Sequence, residues 1–294
     1  MGTGLNISDN DLYNVVKEII KRGGTVFTDV VPAGAVNATA AGTGTSRTSI
    51  TTTQPVPNGA QELLAFAPML CSTADAAADS KFAMFDIQGT SFKRQPQQVI
   101  GPVGSVVLSV GATRFTPMEW WNTYAPVVQG DQYDYGVTPL VANSHNMKAA
   151  ATLMYSTIPS GKATIFSQVG AVNAFKAAGS NSSGTLTLSA ASQLVEVASG
   201  VSPEAAAVAQ ENQRLTHNMT SGSLDPIQSI NWSSDPPAQI AATSGDTQVP
   251  QISRFLELGL RFKQPNPLLT FTSYLDVATS NNLNVAHCVR YTSY

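Results

Sequence analysis

The sequence predicts a mainly β protein of the antiparallel sandwich or barrel type. Three observations predict it. Short apolar runs of strand length recur along the chain, turns bearing Pro, Gly and Asn bound them, and no regular alternation of strands with helices is present. A hydrophobic fraction of 43% over 294 residues is enough to bury a core, in one large unit or two ordinary ones.

The N-terminus carries a helix signal. Ser8 stands as an N-cap with Asp11 three residues on, an acidic variant of the capping box, and Ile7 and Leu12 occupy the staple positions. Leu12, Val15, Val16, Ile19 and Ile20 recur at helical spacing, Lys21 and Arg22 suit the negative end of the dipole, and Gly23-Gly24 stops the helix. This predicts a helix over residues 8–22. Its apolar stripe must be buried against the protein's own β core, or against a neighbouring subunit or a membrane surface. Residues 33–53 are rich in Gly, Ala, Thr and Ser and read as an extended arm. Residues 1–44 are thus expected to form a helix-and-arm unit.

Strand-like runs follow at 63–70, 81–87 and 99–110, the first preceded by the turn Pro57-Asn58-Gly59. An aromatic-dense segment, 115–124, contains Trp120 and Trp121, and Tyr133 and Tyr135 come soon after. Residues 178–184 have the composition of a linker, which places a boundary between a unit at 45–178 and another at 185–294. Beyond it, 185–197 alternates. Ser202-Pro203 predicts the start of a second, short helix running to about residue 215. Leu256, Leu258, Leu260 and Phe262 alternate along a further strand. The runs 268–277 and 283–291, separated by Ser280-Asn281-Asn282, complete the series.

Charged residues make up 12% of the chain, against about 25% in ordinary soluble domains. Hydroxyls and amides cost less to desolvate than ions, so such a surface suits coverage by neighbours. The net charge of −3 comes with no basic run or arm, which argues against direct, sequence-specific nucleic-acid binding. Cys71 and Cys288 allow one disulfide at most, and two buried strand thiols are the expectation. The segment from Met1 to Leu5 lacks a basic stretch followed by an apolar one, so synthesis and folding in the cytoplasm are expected.

The chemistry-bearing residues form no recognisable set. His145, His217 and His287 lack metal-type spacing, and nucleophile-elbow and phosphate-loop patterns are missing. Glu119, Asp131 and Asp134 near Trp120 and Trp121 are the raw material of a sugar-cleaving site, but their spacing fits a hydrated loop. The sequence therefore predicts no catalytic residue, no cofactor and no metal, and a protein that is not an enzyme. Asn-x-Ser/Thr triplets begin at Asn6, Asn37, Asn181, Asn218 and Asn231, as composition alone would produce.

The amphipathic N-terminal helix, the low-complexity arm, the two stretches of short strands and the neutral-polar composition together resemble jelly-roll viral major capsid proteins. The type resembled is the compact double jelly roll of tailless icosahedral viruses. The resemblance implies a jelly-roll β-sandwich, with barrels in tandem at 45–178 and 185–294, and a single elaborated jelly roll as the alternative. It also implies a structural subunit that forms homotrimers within an icosahedral virion shell, beside other capsid proteins and over an internal membrane that the N-terminal helix could meet. Candidate contact residues are Val16 and Ile20 on the helix and the aromatic anchors Trp120, Trp121, Tyr133 and Tyr135. The competing readings are a surface-layer or filament subunit and a carbohydrate-binding β-sandwich.

Overall fold

Apolar runs alternating with turns build strands throughout the computed structural model. It describes residues 7–36, 48–49, 54–72, 82–89, 97–107, 112–113, 119–140, 147–170, 173–175, 178–179, 181–203, 215–234, 253–256, 260–276 and 283–293. The chain begins with helix α1 (Ile7–Lys21) and continues through β1 (Val26–Val36), β2 (Thr48–Ser49), β3 (Gln54–Pro55), β4 (Glu62–Ser72), β5 (Phe82–Gln88), β6 (Gln97–Val107) and β7 (Ala112–Thr113). Next come β8 (Trp121–Pro126), β9 (Gln132–Pro139), β10 (Met147–Ser156), β11 (Ile165–Val169), β12 (Asn173–Phe175), β13 (Asn181–Thr187) and β14 (Ala191–Pro203). The last are β15 (Leu215–Thr220), β16 (Leu224–Asp225), β17 (Ser229–Ser234), β18 (Ser253–Leu256), β19 (Arg261–Phe262), β20 (Leu268–Leu275) and β21 (Leu283–Ser293).

The strands form three layers. One outer layer runs β1–β10–β4–β8, antiparallel throughout. A central layer runs β9–β5–β6–β11–β21–β14–β18, antiparallel except where β11 meets β6 in parallel at Ser167 and Gln97. Strand β6 turns the corner between these layers: residues 97–102 pair with β5, while Val103–Ser105 pair with β4 in parallel. The other outer layer is the separate sheet β13–β20–β15–β17. This is a β-sandwich architecture, as the sequence predicts.

Two large apolar clusters fill the spaces between layers. The first gathers Phe66, Phe85, Ile100, Trp121, Tyr135 and Leu153. The second gathers Leu194, Val197, Met219, Phe262, Phe271 and Tyr291. Strand β21 serves both: Ala286 and Cys288 belong to the first cluster, Val289 and Tyr291 to the second. Side chains of a strand alternate between faces, so a strand buried on both sides reads as a continuous apolar run. In β14 a register shift between Leu194 and Glu196 lets Leu194 and Val197 face the same cluster despite their odd separation. A Cβ on Gly200 of β14 would lie 2.8 Å from the Phe82 ring, so only glycine permits this approach to β5.

Three local expectations are corrected. Ser202 and Pro203 do not start a helix; they end β14, opposite Asn284 and Leu283 of β21. The pairing partner overrides the capping signal there, and residues 204–214 lie outside the described residues. Asn181–Gly184 is not linker but part of β13, paired with Tyr274 to Phe271 of β20. The ends of the expected arm also join sheets, through β1 as far as Val36 and through Thr48–Ser49 against β9. Residues 37–47 and 50–53 lie outside the described residues. Cys71 and Cys288 are not joined in a disulfide, Cys288 being buried and Cys71 half-buried.

Candidate functional site

The apolar stripe of the helix packs on the β core of its own chain. Leu12, Val15 and Ile19 are buried against Leu64, Ala65 and Tyr124 of the same chain, with Val16 partly buried beside them. Strand β4 makes this seat with a bulge. Tyr155 pairs with Leu63 and Met154 with Ala65, so Leu64 is the extra residue and two consecutive side chains reach the helix. Tyr124 sits there at φ +47°, a conformation non-glycine residues rarely adopt, and its hydroxyl donates to Asp11 Oδ2 at 3.0 Å. Burial and the neighbouring Asp11 carboxylate push its phenol pKa upward.

Polar ties fix both ends of the helix. Lys162 Nζ donates to Asp11 Oδ1 at 3.1 Å. Arg22 Nη2 donates to the carbonyls of Pro159 at 2.8 Å and Ser160 at 3.3 Å. The buried Glu62 carboxylate holds that same loop, accepting from the Ser160 amide at 2.6 Å and hydroxyl at 2.9 Å. Burial raises the Glu62 pKa. The sequence predicts Ser8 as N-cap, whereas the helix begins at Ile7, and the Ser8 side chain lies outside the described ones.

Of the candidate contact residues, Ile20 is 58% exposed and Trp120 is half-buried against the helix cluster. Trp121, Tyr133 and Tyr135 are corrected: they are 1%, 0% and 0% exposed and belong to the first core. An interior side chain cannot anchor a neighbour. Trp121 lies under the Arg290 guanidinium, 5.3 Å from ring to carbon, and Tyr133 and Tyr135 meet edge to face at 6.4 Å. The acid–aromatic cluster dissolves with them. Asp131 is buried in the turn before β9, Asp134 accepts from Ser49 Oγ at 3.3 Å, and Trp121 offers no open ring face.

Two of the three histidines, distant in sequence, meet in the second core. The indole Nε1 of Trp232 donates to Ser199 Oγ at 3.0 Å, and Ser199 Oγ lies 2.8 Å from His287 Nδ1. His287 Nε2 lies 3.4 Å from Ser273 Oγ, which lies 3.0 Å from His217 Nδ1. One assignment satisfies the chain: each serine hydroxyl donates to an Nδ1, and each imidazole is neutral with its proton on Nε2. Burial lowers the pKa of both rings, His217 to about 3, and the neighbouring His217 further disfavours charge on His287. His145 lies outside the described residues. Among the described residues no cluster of three or more His, Cys, Asp or Glu side chains could hold a metal ion.

The outer face of the sheet β13–β20–β15–β17 is a feature that sequence reading misses. One row across it is Ser183, Thr272, Asn218 and Asn231. The next is Thr185, Thr270, Thr220 and Ser229. Leu268 and Tyr274, 55% and 42% exposed, mark the two ends of β20 on this face. Among its described positions none is Lys, Arg, Asp or Glu. Asn218 Nδ2 donates to Asn231 Oδ1 and Ser229 Oγ, each at 2.7 Å. The available signal was the alternation of hydroxyl and apolar residues in 185–188 and 268–275.

No protein-family model and no curated protein matches the chain. Solved structures resemble it at low similarity. The VP54 protein of PBCV-1, fitted into a reconstruction of the virophage Sputnik, is 6% identical, with 92% of this chain and 95% of that one covered and a TM-score of 0.31. A quasi-atomic model of the PBCV-1 virus capsid is 7% identical, with coverage of 91% and 93% and a TM-score of 0.32. The T=1 Penaeus vannamei nodavirus is 12% identical, with coverage of 92% and 100% and a TM-score of 0.21. At these scores no residue of this chain is matched to a residue of theirs.

Proposed function

We propose that this chain is a major capsid protein, a structural subunit whose copies assemble into an icosahedral virion shell. The observation that carries the reading is where charge resides. Some of the few ionisable groups are buried, as the Glu196–Arg290 pair and the neutral His217 and His287, while one sheet face presents hydroxyls, amides, Leu268 and Tyr274 and carries no charge among its described positions. Such a face loses little on desolvation and repels no copy of itself. Jelly rolls in tandem at 45–178 and 185–294, homotrimers as the building unit, and contact with other capsid proteins belong to the same proposal.

The helix α1 turns its apolar stripe inward. A membrane contact would therefore rest on its exposed Tyr13, Lys17 and Ile20. The test is light scattering with negative-stain imaging of the purified, folded chain over a range of concentrations. Closed particles or stable trimers are expected. A clean monomer at high concentration, with no particle in native material, would overturn the reading.

A further inference from the structure

We infer that the outer face of the sheet β13–β20–β15–β17 docks on the same face of a second copy of this chain, across a two-fold axis. The inference deepens the self-assembly reading and rests on it. It starts from the symmetry of β20. Leu268 and Tyr274 lie three residues either side of Phe271, and Thr270 and Thr272 lie one residue either side. Phe271 itself points inward, into the second core. A two-fold axis lying in the interface, perpendicular to β20 at Phe271, sets a second β20 antiparallel over the first. Leu268 then meets the partner's Tyr274, and Thr270 meets the partner's Thr272. Each exposed apolar side chain finds an apolar partner at one end, and between them the row of hydroxyls and amides through Thr272 faces the partner's hydroxyl row through Thr270.

Charge selects the occupant. A charged partner such as nucleic acid gains nothing from a face whose described positions carry no Lys or Arg. A copy of the same face brings no charge to be desolvated or repelled, and isologous contacts of this kind are how like subunits associate. Area sets the strength. Four strands about 4.8 Å apart and seven residues at about 3.4 Å each make a patch on the order of 400 Å². That is roughly half of the ~800 Å² per partner found in stable pairs, so the contact works within an assembly and not as an isolated dimer.

The experiment places charge on the face without touching the core. One variant carries Thr270→Lys with Thr272→Lys, the other Thr270→Glu with Thr272→Glu. Particle yield is read by light scattering, and folding of each variant by circular dichroism. Each variant alone is expected to assemble at least about a hundredfold less well than the parent, because like charges meet across the axis. An equimolar mixture is expected to recover assembly. If either pair fails to fold, Asn231→Lys and Asn231→Glu on the edge strand β17 repeat the test. A folded variant that assembles alone like the parent, or folded variants whose mixture fails to recover, overturns the docking face and leaves the shell reading standing. A glycan on Asn218 or Asn231 of native material also overturns it, because it would hold the faces apart. A parent chain that never assembles overturns the shell reading itself, and this proposal with it.

Discussion

Arg290 Nη1 donates to Glu196 Oε2 across 2.6 Å, with both side chains sealed from solvent. The two residues stand directly opposite each other on β21 and β14. Arg290 also donates to the carbonyl of Asn122 and lies against the Trp121 ring, so one guanidinium ties the shared strands to β8. Removing one member leaves a buried charge without its counterpart. Arg290→Met is expected to cost about 3–5 kcal/mol, and Glu196→Leu a similar amount. The double replacement is expected to recover most of the loss, since an apolar pair has no charge to desolvate. Urea denaturation of the four chains in a double-mutant cycle measures this, and additive losses would contradict it.

The histidine chain makes stability depend on acid. The folded state holds His217 at about 3, well below the ordinary 6.5 that the unfolded chain would show. The unfolded state therefore binds more protons between those values. The stabilisation is complete above about pH 6.5 and is lost as pH falls toward 3, by something of the order of 4 kcal/mol. His287 is shifted in the same direction. Thermal melts from pH 7 to pH 4 should show a steep fall in the parent. A flatter, lower profile is expected for His217→Gln, and an unchanged slope would count against the assignment.

The helix is part of the fold, and its two sides should behave differently. Ile19 is fully buried, so Ile19→Ala is expected to cost about 2–4 kcal/mol. Ile20 is exposed, and Ile20→Ser should change stability by less than about 0.5 kcal/mol. Deleting residues 1–24 uncovers Leu64, Ala65 and Tyr124, and the shortened chain is expected to fold poorly. An unperturbed melt after the deletion would show that the stripe contributes little to the monomer.

Tyr155 is buried beside Tyr133 and Tyr135, and among the described residues none hydrogen-bonds its hydroxyl. Burial pushes its pKa upward and keeps it neutral. Tyr155→Phe keeps the ring stacked on Phe27 and removes a buried polar group, so it is expected to be neutral or stabilising by up to about 1 kcal/mol. A loss above about 2 kcal/mol in chemical denaturation would mean that the hydroxyl serves a contact of its own.

The sequence by itself determined the class of fold, the helix, and most of the long strands. Periodicity is local: the alternation in β20 and the helical spacing from Leu12 to Ile20 arise from residues a few positions apart. The neutral-polar surface was likewise legible from composition. What lies opposite each face is not local, and only the tertiary structure decided it. The stripe of α1 turns inward because a bulge in β4, some fifty residues on, offers Leu64 and Ala65 together. Trp121, Tyr133 and Tyr135 look like interface anchors in sequence, but their strands are covered on the face they point to. Asn181–Thr187 has little apolar content of its own and becomes a strand because β20, more than eighty residues later, supplies its hydrogen bonds. His217 and His287 share one hydrogen-bonded chain because β15 and β21 lie in layers that pack face to face, a relationship no spacing in the sequence encodes.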